Sequence, residues 1–236
     1  LVGSEMCLRD SNIDVDYAKA NGIDVKNTPK ASSQSVAELA MGHMFSCARY
    51  ISIAGHTMRE DKWEKKAYGK GIELQGKTLG IVGFGRIGQH LGVMAKAIGM
   101  KVIAFDIYQV PVISEQLDIP YVEMDELLAK SDFISVHAPA VDGGALINAE
   151  RIAKMKDGVV IINTSRGTNV DEAALLDALN SGKVRAAGLD VYADEPATNV
   201  ALYSHPMVSC TPHIGSATVE AQGRIGEELV EIISKM

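Results

Sequence analysis

Cysteine is scarce in this chain: Cys7, Cys47 and Cys210 are the three among 236 residues, far apart and without a C-x-x-C pair. An odd, dispersed set excludes a disulfide framework and fits buried, reduced thiols in a cytoplasmic protein. Long apolar runs are missing as well. No stretch reaches the roughly 18 residues that a membrane span needs, and the N-terminus lacks the basic-then-apolar pattern of a signal peptide. Positive charge is in deficit, with 23 Lys and Arg against 30 Asp and Glu for a net charge of −7. Nucleic acid and membrane surfaces are therefore not the expected partners. Any anionic ligand has to be held by local cations, for which Arg86 and Arg166 are the candidates. No metal-binding set is expected.

What is present is enough apolar material for a core, 47% of residues, in a chain long enough for one large domain or a domain with part of another. From residue 72 onward, short apolar runs alternate with helix-length segments, the pattern of an α/β, doubly wound parallel sheet with helices on both faces. The pattern predicts strands over 78–82, 101–106, 132–136, 158–163, 186–191 and 207–210, and helices near 86–98, 125–130, 149–155 and 171–180. The run at 158–162 is apolar on both faces, as a central parallel strand requires. Gly99 and Ser181-Gly182 read as helix ends.

The first of these strands ends in Gly83-Phe84-Gly85-Arg86-Ile87-Gly88 and leads into a helix whose apolar residues include Ile87, Leu91, Met94, Ala95 and Ile98. A G-x-G-x-x-G pattern alone is weak, since glycine is common here. Strand, glycine turn, helix, second strand and a terminal acid, Asp106, in that order make it a dinucleotide-binding signature. Gly83 would allow the tight turn, Gly85 the approach of a pyrophosphate, and Gly88 the close packing of helix on strand. The helix N-terminus, with Arg86 beside it, would face the phosphates. Asp106 would accept hydrogen bonds from a ribose diol and repel a 2′-phosphate, which predicts NAD rather than NADP.

Upstream, Ser35-Val-Ala-Glu38 reads as a capping box opening one long helix through about Arg59, with Pro29 and Ser32-Ser33 as an inter-domain hinge. Residues 60–75, with the sole tryptophan Trp63, read as a connecting arm. The first thirty residues hold one helix-like stretch, Tyr17 to Asn21, and one strand-like stretch, Ile23 to Val25. That is too little for a domain. The expected division is 1–30 as the remnant of a second α/β domain and 31–236 as the dinucleotide-binding domain.

Three further segments combine polar residues with strand ends: Asn163-Thr-Ser-Arg166-Gly167, Asp190-Val-Tyr-Ala-Asp194-Glu195-Pro196 and Thr211-Pro-His213-Ile-Gly215-Ser216. Ligands bind at the carboxyl ends of such strands, so Arg166, Glu195 and His213 should converge near the cofactor. Each alone has an ordinary reading as a surface, loop or turn residue. Together they suit hydride transfer at a carbinol carbon. Arg166 would grip a carboxylate, His213 would take or give the hydroxyl proton, and Glu195 would support the imidazole.

Several stretches of the chain are similar to the D-isomer-specific 2-hydroxyacid dehydrogenase family, most of all its D-3-phosphoglycerate dehydrogenase branch. They are Asn27-Thr-Pro29, Ser35-Val-Ala-Glu38, Lys62-Trp63, Gly76 to Gly88, Phe105-Asp106, Val136-His-Ala-Pro139, Leu146-Ile-Asn148, Asn163 to Gly167, Gly188-Leu-Asp190, Asp194-Glu-Pro196 and Pro212-His-Ile-Gly215. The spacings from Arg166 to Glu195, 29 residues, and from Glu195 to His213, 18 residues, match too. The resemblance implies an enzyme acting on a small 2-hydroxy or 2-oxo acid, 3-phosphoglycerate being one candidate, with Arg166, Glu195 and His213 as its catalytic set. It places Gly83, Gly85, Arg86, Ile87, Gly88, Asp106, Ala138, Pro139, Thr164, Ser165, Arg166, Asp190, His213 and Gly215 around NAD, with Asp190 near the nicotinamide carboxamide. It leaves the His137 side chain open between structural and functional roles. It also implies a homodimer through the Ser35 helix and the Trp63 arm. Family members are longer, so the chain is expected to be a fragment lacking most of its substrate domain; they also carry a glycine-rich loop where Cys7-Leu-Arg-Asp-Ser-Asn12 stands here, so either substrate binding is changed or residues 1–11 do not occupy the family position. A non-catalytic NADH sensor or corepressor of the same fold, or an inactive truncation, are the alternative expectations.

Overall fold

In the computed structural model, which describes residues 14–26, 28, 30–141 and 143–235, the alternating pattern resolves into one sheet. Its strands are β1 (Thr78–Val82), β2 (Lys101–Phe105), β3 (Phe133–Val136), β4 (Val159–Asn163), β5 (Val184–Leu189) and β6 (Val208–Cys210). All pairings are parallel and the order is β2-β1-β3-β4-β5-β6. The chain goes from β1 outward to β2 and then crosses back to β3. This reversal opens a crevice above the carboxyl ends of β1 and β3, where open α/β sheets take their ligands.

The helices are α1 (Val15–Ala20), α2 (Ser33–Arg49), α3 (Ile51–Arg59), α4 (Arg86–Ala97), α5 (Pro111–Leu117), α6 (Met124–Lys130), α7 (Ala149–Lys154), α8 (Glu172–Ser181), α9 (Val200–Tyr203) and α10 (Val219–Ser234). They cover the sheet on two sides. Successive residues of a strand point to opposite faces, and β4 feeds both: Val160 and Ile162 join Met44, Leu79, Ile81 and Leu91 on one side. Val159 and Ile161 join Leu127, Ile134, Leu175 and Leu189 on the other. The predicted central strand is thus buried along its whole length.

Upstream of the sheet the structure corrects the sequence reading. The single long helix is two, because Tyr50 adopts a left-handed φ of 58° between α2 and α3. The capping box does not form either. Helix α2 starts at Ser33 without a side-chain cap, Ser35 Oγ instead meets Thr218 Oγ1 at 2.8 Å, and Glu38 accepts from Gln34 Nε2. A tertiary partner outcompetes the local cap. Residues 23–25 form no strand, whereas the helix near Tyr17 is present with Asp14 accepting from the Tyr17 amide at 2.8 Å. Of the supposed hinge, Pro29 lies outside the described residues, as do Cys7 and its neighbours, while Ser32 and Ser33 open α2. Cys47 is buried, and burial pushes its thiol up to about 12. Cys210, expected to be buried, is exposed.

Candidate active site

The crevice is built from the glycine turn outward. Gly83 has φ +93°, and a Cβ there would lie 2.6 Å from the Ala138 amide nitrogen, so the β1 turn and the β3 turn touch backbone to backbone. A Cβ on Gly88 would lie 2.5 Å from the Gly83 carbonyl oxygen, which sets the close approach of α4 to its strand. Beside Gly85 there is open space, and no side chain caps α4. The positive end of its dipole faces the turn, a setting that favours a ligand of opposite charge. Asp106, at the end of β2, accepts from the Phe84 amide at 2.7 Å and the Tyr108 amide at 2.9 Å. Its carboxylate therefore stands at the mouth of the turn with lone pairs to spare. Ile107 and Tyr108, both strongly exposed, flank it and suit a flat aromatic ligand. Sequence reasoning passed over this pair, although two apolar residues directly after the acid were a signal.

The β3 and β4 turns are fastened to each other by amides. Asn169 Nδ2 donates to the Ala138 carbonyl at 2.9 Å and to Ser165 Oγ at 3.1 Å. Asn163 Oδ1 accepts from the Ser165 amide and hydroxyl, and its Nδ2 donates to the Arg166 carbonyl at 2.9 Å. Ala138, Ser165 and Arg166 thus come together as expected, with Pro139 exposed beside them. The Thr164 hydroxyl is buried without a partner among the described residues. An orphaned hydroxyl, open space at Gly85 and a helix N-terminus without a side-chain cap fit a dinucleotide laid across the switch point. Arg86 and Ile87, opening α4, line the same edge.

His137 belongs to the fold. Its Nε2 pairs with Ser135 Oγ at 2.8 Å, its Nδ1 is buried without a partner, and burial pushes the imidazole down to about 4. A folded-state value below the unfolded one, about 6.5, means that the unfolded chain binds the proton more tightly. The stabilisation is complete above about pH 6.5 and is lost as pH falls through the window toward 4, with a limit on the order of 3 kcal/mol. Urea unfolding at pH 7 and pH 4.5 should show this loss, and His137→Gln should flatten it. An equal loss in the variant would assign the acid sensitivity to other groups.

On the β5–β6 side the catalytic candidates assemble. His213 sits at φ +56° in the loop after β6, with Nδ1 at 2.8 Å from both Glu195 oxygens. The Nδ1 hydrogen faces the carboxylate, so Nε2 is the nitrogen left for a substrate. The two side chains are 21% and 22% exposed, shielded yet reachable. They line a cleft of about 330 Å³ with Tyr192, Pro196, Ala197, Tyr203, Cys210, Thr211 and Pro212. Arg166 follows β4 on the adjacent strand, its Nη1 donating to the Ser165 carbonyl at 2.8 Å. A Cβ on the next residue, Gly167, would overlap the Tyr192 carbonyl and lie 2.5 Å from the Ala193 amide nitrogen. The Arg166 turn and the Glu195 loop are therefore pressed together.

Asp190, expected beside a carboxamide, is buried and committed within the chain. It accepts from Thr211 Oγ1 at 2.6 Å, the Ile214 amide at 2.8 Å and the Gly215 amide at 2.8 Å. It holds the backbone on the C-terminal side of His213. Glu172 does the same for the other loop, accepting from the Ala193 amide at 2.9 Å and from Asn199 Nδ2 at 3.0 Å. Gly167, Tyr192, Asn169 and Glu172 were not singled out in the sequence. Their roles come from contacts between different strand ends, which no local pattern displays.

Comparison with known proteins agrees with this geometry. The model of the D-isomer specific 2-hydroxyacid dehydrogenase NAD binding domain matches residues 41–215. The chain is 55% identical to a hydroxypyruvate reductase of Thermotoga maritima over 95% of its own length and 73% of the relative's. It is 45% identical to a D-3-phosphoglycerate dehydrogenase of Mycobacterium bovis over 94% of its own length, and spans less than half of that relative, 42%. A solved glyoxylate reductase from Paecilomyes thermophila superposes with a TM-score of 0.86 at 38% identity, over 94% of this chain and 68% of that one.

Proposed function

The chain belongs to the D-isomer specific 2-hydroxyacid dehydrogenase family and carries its NAD-binding domain, and from that premise we propose that it reduces a short 2-oxo acid to the D-2-hydroxy acid. The observation that carries this reading is the His213–Glu195 pair, with Nδ1 fixed on the carboxylate and Nε2 presented to the cleft. The glycine turn, Asp106 and Thr164 would hold the dinucleotide, which when bound would supply a hydride for C2 of the substrate. His213 gives its Nε2 proton to the carbonyl oxygen as that oxygen becomes a hydroxyl, and in the reverse direction takes it back. Glu195 holds the ring orientation and balances the imidazolium charge, as a buried acid does for a catalytic histidine elsewhere. Arg166 binds the substrate carboxylate through its fork of donors.

Hydroxypyruvate is favoured over a phosphorylated acid because the chain is more similar to a hydroxypyruvate reductase, at 55% identity, than to a D-3-phosphoglycerate dehydrogenase, at 45%. Rates of NADH loss with hydroxypyruvate, glyoxylate and phosphohydroxypyruvate test this. A preference for the phosphorylated acid would contradict it. The cofactor choice rests on Asp106: Asp106→Ala should cut the preference for NAD over NADP by about tenfold or more, the worth of a charged hydrogen-bonding group to a diol. An unchanged preference would remove Asp106 from that role.

Among the described residues no helix is long and apolar enough to cross a membrane, consistent with a cytoplasmic enzyme. Helix α3 has no buried residue, and Ile51, Met58 and Trp63 stand exposed along it and the following arm. Apolar side chains spaced along one projecting segment call for a partner surface, and a second copy of the chain supplies it in this reading. Light scattering should give the mass of a dimer, and Trp63→Glu should shift it toward the monomer; a monomer at all concentrations would rule the surface out.

A further inference from the structure

Helix α2 carries a buried histidine that the reaction does not use. His43 is 3% exposed, with Nδ1 at 3.0 Å from Ser209 Oγ and Nε2 at 3.0 Å from Thr211 Oγ1. The direction of the hydrogens follows from the neighbours. The Thr211 hydroxyl donates its one hydrogen to Asp190 Oδ1 at 2.6 Å. It can therefore only accept from His43, which puts the ring hydrogen on Nε2 and leaves Nδ1 to accept from Ser209. Burial pushes the His43 imidazole below its ordinary value, toward this neutral form, against the opposing pull of the Asp190 carboxylate. The line runs one way, from Ser209 through His43 and Thr211 to Asp190.

The fold makes room for this line. The His43 side chain crosses β5 at Gly188, where a Cβ would come within 2.6 Å of the His43 Cβ. At its far end, Asp190 has no cationic side chain bonded to it among the described residues; its charge rests on Thr211 and the Ile214 and Gly215 amides. Those amides directly follow His213. A change in the Thr211 hydroxyl is thus passed to the acid/base residue through one carboxylate.

We propose that His43 is a positioning residue for His213, its Nε2–H holding the Thr211 hydroxyl on Asp190 and so fixing the loop that presents the acid/base imidazole. This rests on the role of His213 given above.

The test uses the full chain, with ¹⁵N-labelled histidine and two substitutions. NMR should show His43 as the neutral Nε2–H tautomer at pH 7, with or without NADH. His43→Leu should displace the His213 ring signals and lower kcat about tenfold with NADH affinity changed less than about twofold, as for one lost orienting hydrogen bond. His43→Gln, whose amide N–H can donate to Thr211, should recover most of the loss. Thr211→Val, close to isosteric, should reproduce it, and the double variant His43→Leu with Thr211→Val should lose no more than either. An Nδ1–H or doubly protonated ring, additive losses, or a Gln variant no better than Leu would overturn the proposal. The tautomer and the His213 signals are read without turnover. Absence of dehydrogenase activity would therefore defeat the proposed function while these signals still decide the role of His43.

Discussion

His213→Ala is expected to lower kcat by about 10²–10⁴, the usual worth of a positioned acid/base group, while NADH affinity stays nearly the same. The reasoning is local. The imidazole meets Glu195 at Nδ1 and the cleft at Nε2, whereas the glycine turn, Asp106 and Thr164 lie at the ends of other strands. Removing the ring takes away a proton donor and leaves the dinucleotide crevice intact. Glu195→Gln is the matching control. It keeps a partner for Nδ1 but not the charge that balances the imidazolium, so its loss should be smaller and should depend on pH. If the His213 variant kept full kcat, or lost cofactor binding in proportion to its rate, the acid/base assignment would fail.

The second large effect is expected from a residue with no side chain. Gly167→Ala sets a methyl group against the Tyr192 carbonyl and the Ala193 amide. Backbone cannot swing aside as the end of a flexible side chain can, so either the Arg166 turn or the Tyr192–Glu195 loop has to move. Overpacking of this kind costs about 1–3 kcal/mol, and more where the neighbours are rigid. The separation of Arg166 from the His213–Glu195 pair should cost activity further, since a shift of about 1 Å at a reacting centre costs about 10² in rate. The variant should therefore unfold at lower urea and lose at least about 10² in kcat/KM even where it is fully folded. A stable variant with full activity would show that the two loops need not touch.

The sheet was legible because its signals are local. Short apolar runs marked all six strands to within two residues, and Gly182, at φ +79°, ended α8 as its position indicated. The glycine turn and Asp106 were equally readable, since the spacing of strand, turn and acid follows from the binding geometry itself. The break at Tyr50 was not readable: a tyrosine at a left-handed φ carries no sequence mark, unlike glycine or asparagine. The false capping box shows the same limit, for Ser35 finds its partner at Thr218, 183 positions away. Helix α5 was overlooked although Pro111 stands in its first turn, a recognised start signal.

The site divides in the same way. Arg166, Glu195 and His213 could be chosen from the sequence because each follows a strand in a sheet whose carboxyl ends share one crevice. The parts that hold them, Asp190, Glu172, Asn169 and His43, are ordinary polar residues until the strand ends meet. Asp190 is the sharpest case. The family resemblance places it beside the nicotinamide carboxamide, and its contacts within the chain, which no local pattern displays, are to the loop that carries His213.

Transfer of the hydride itself tests the account most directly. The purified chain would be incubated with NADH deuterated at the nicotinamide C4 and with hydroxypyruvate, and the product analysed by mass and by chirality. The account expects deuterium from one face of the ring at C2 of the D-hydroxy acid, one label for each NADH consumed, and label appearing about 10²–10⁴ more slowly with His213→Ala. NADH that binds but delivers no label to any short 2-oxo acid, or a product of the L configuration, would contradict it.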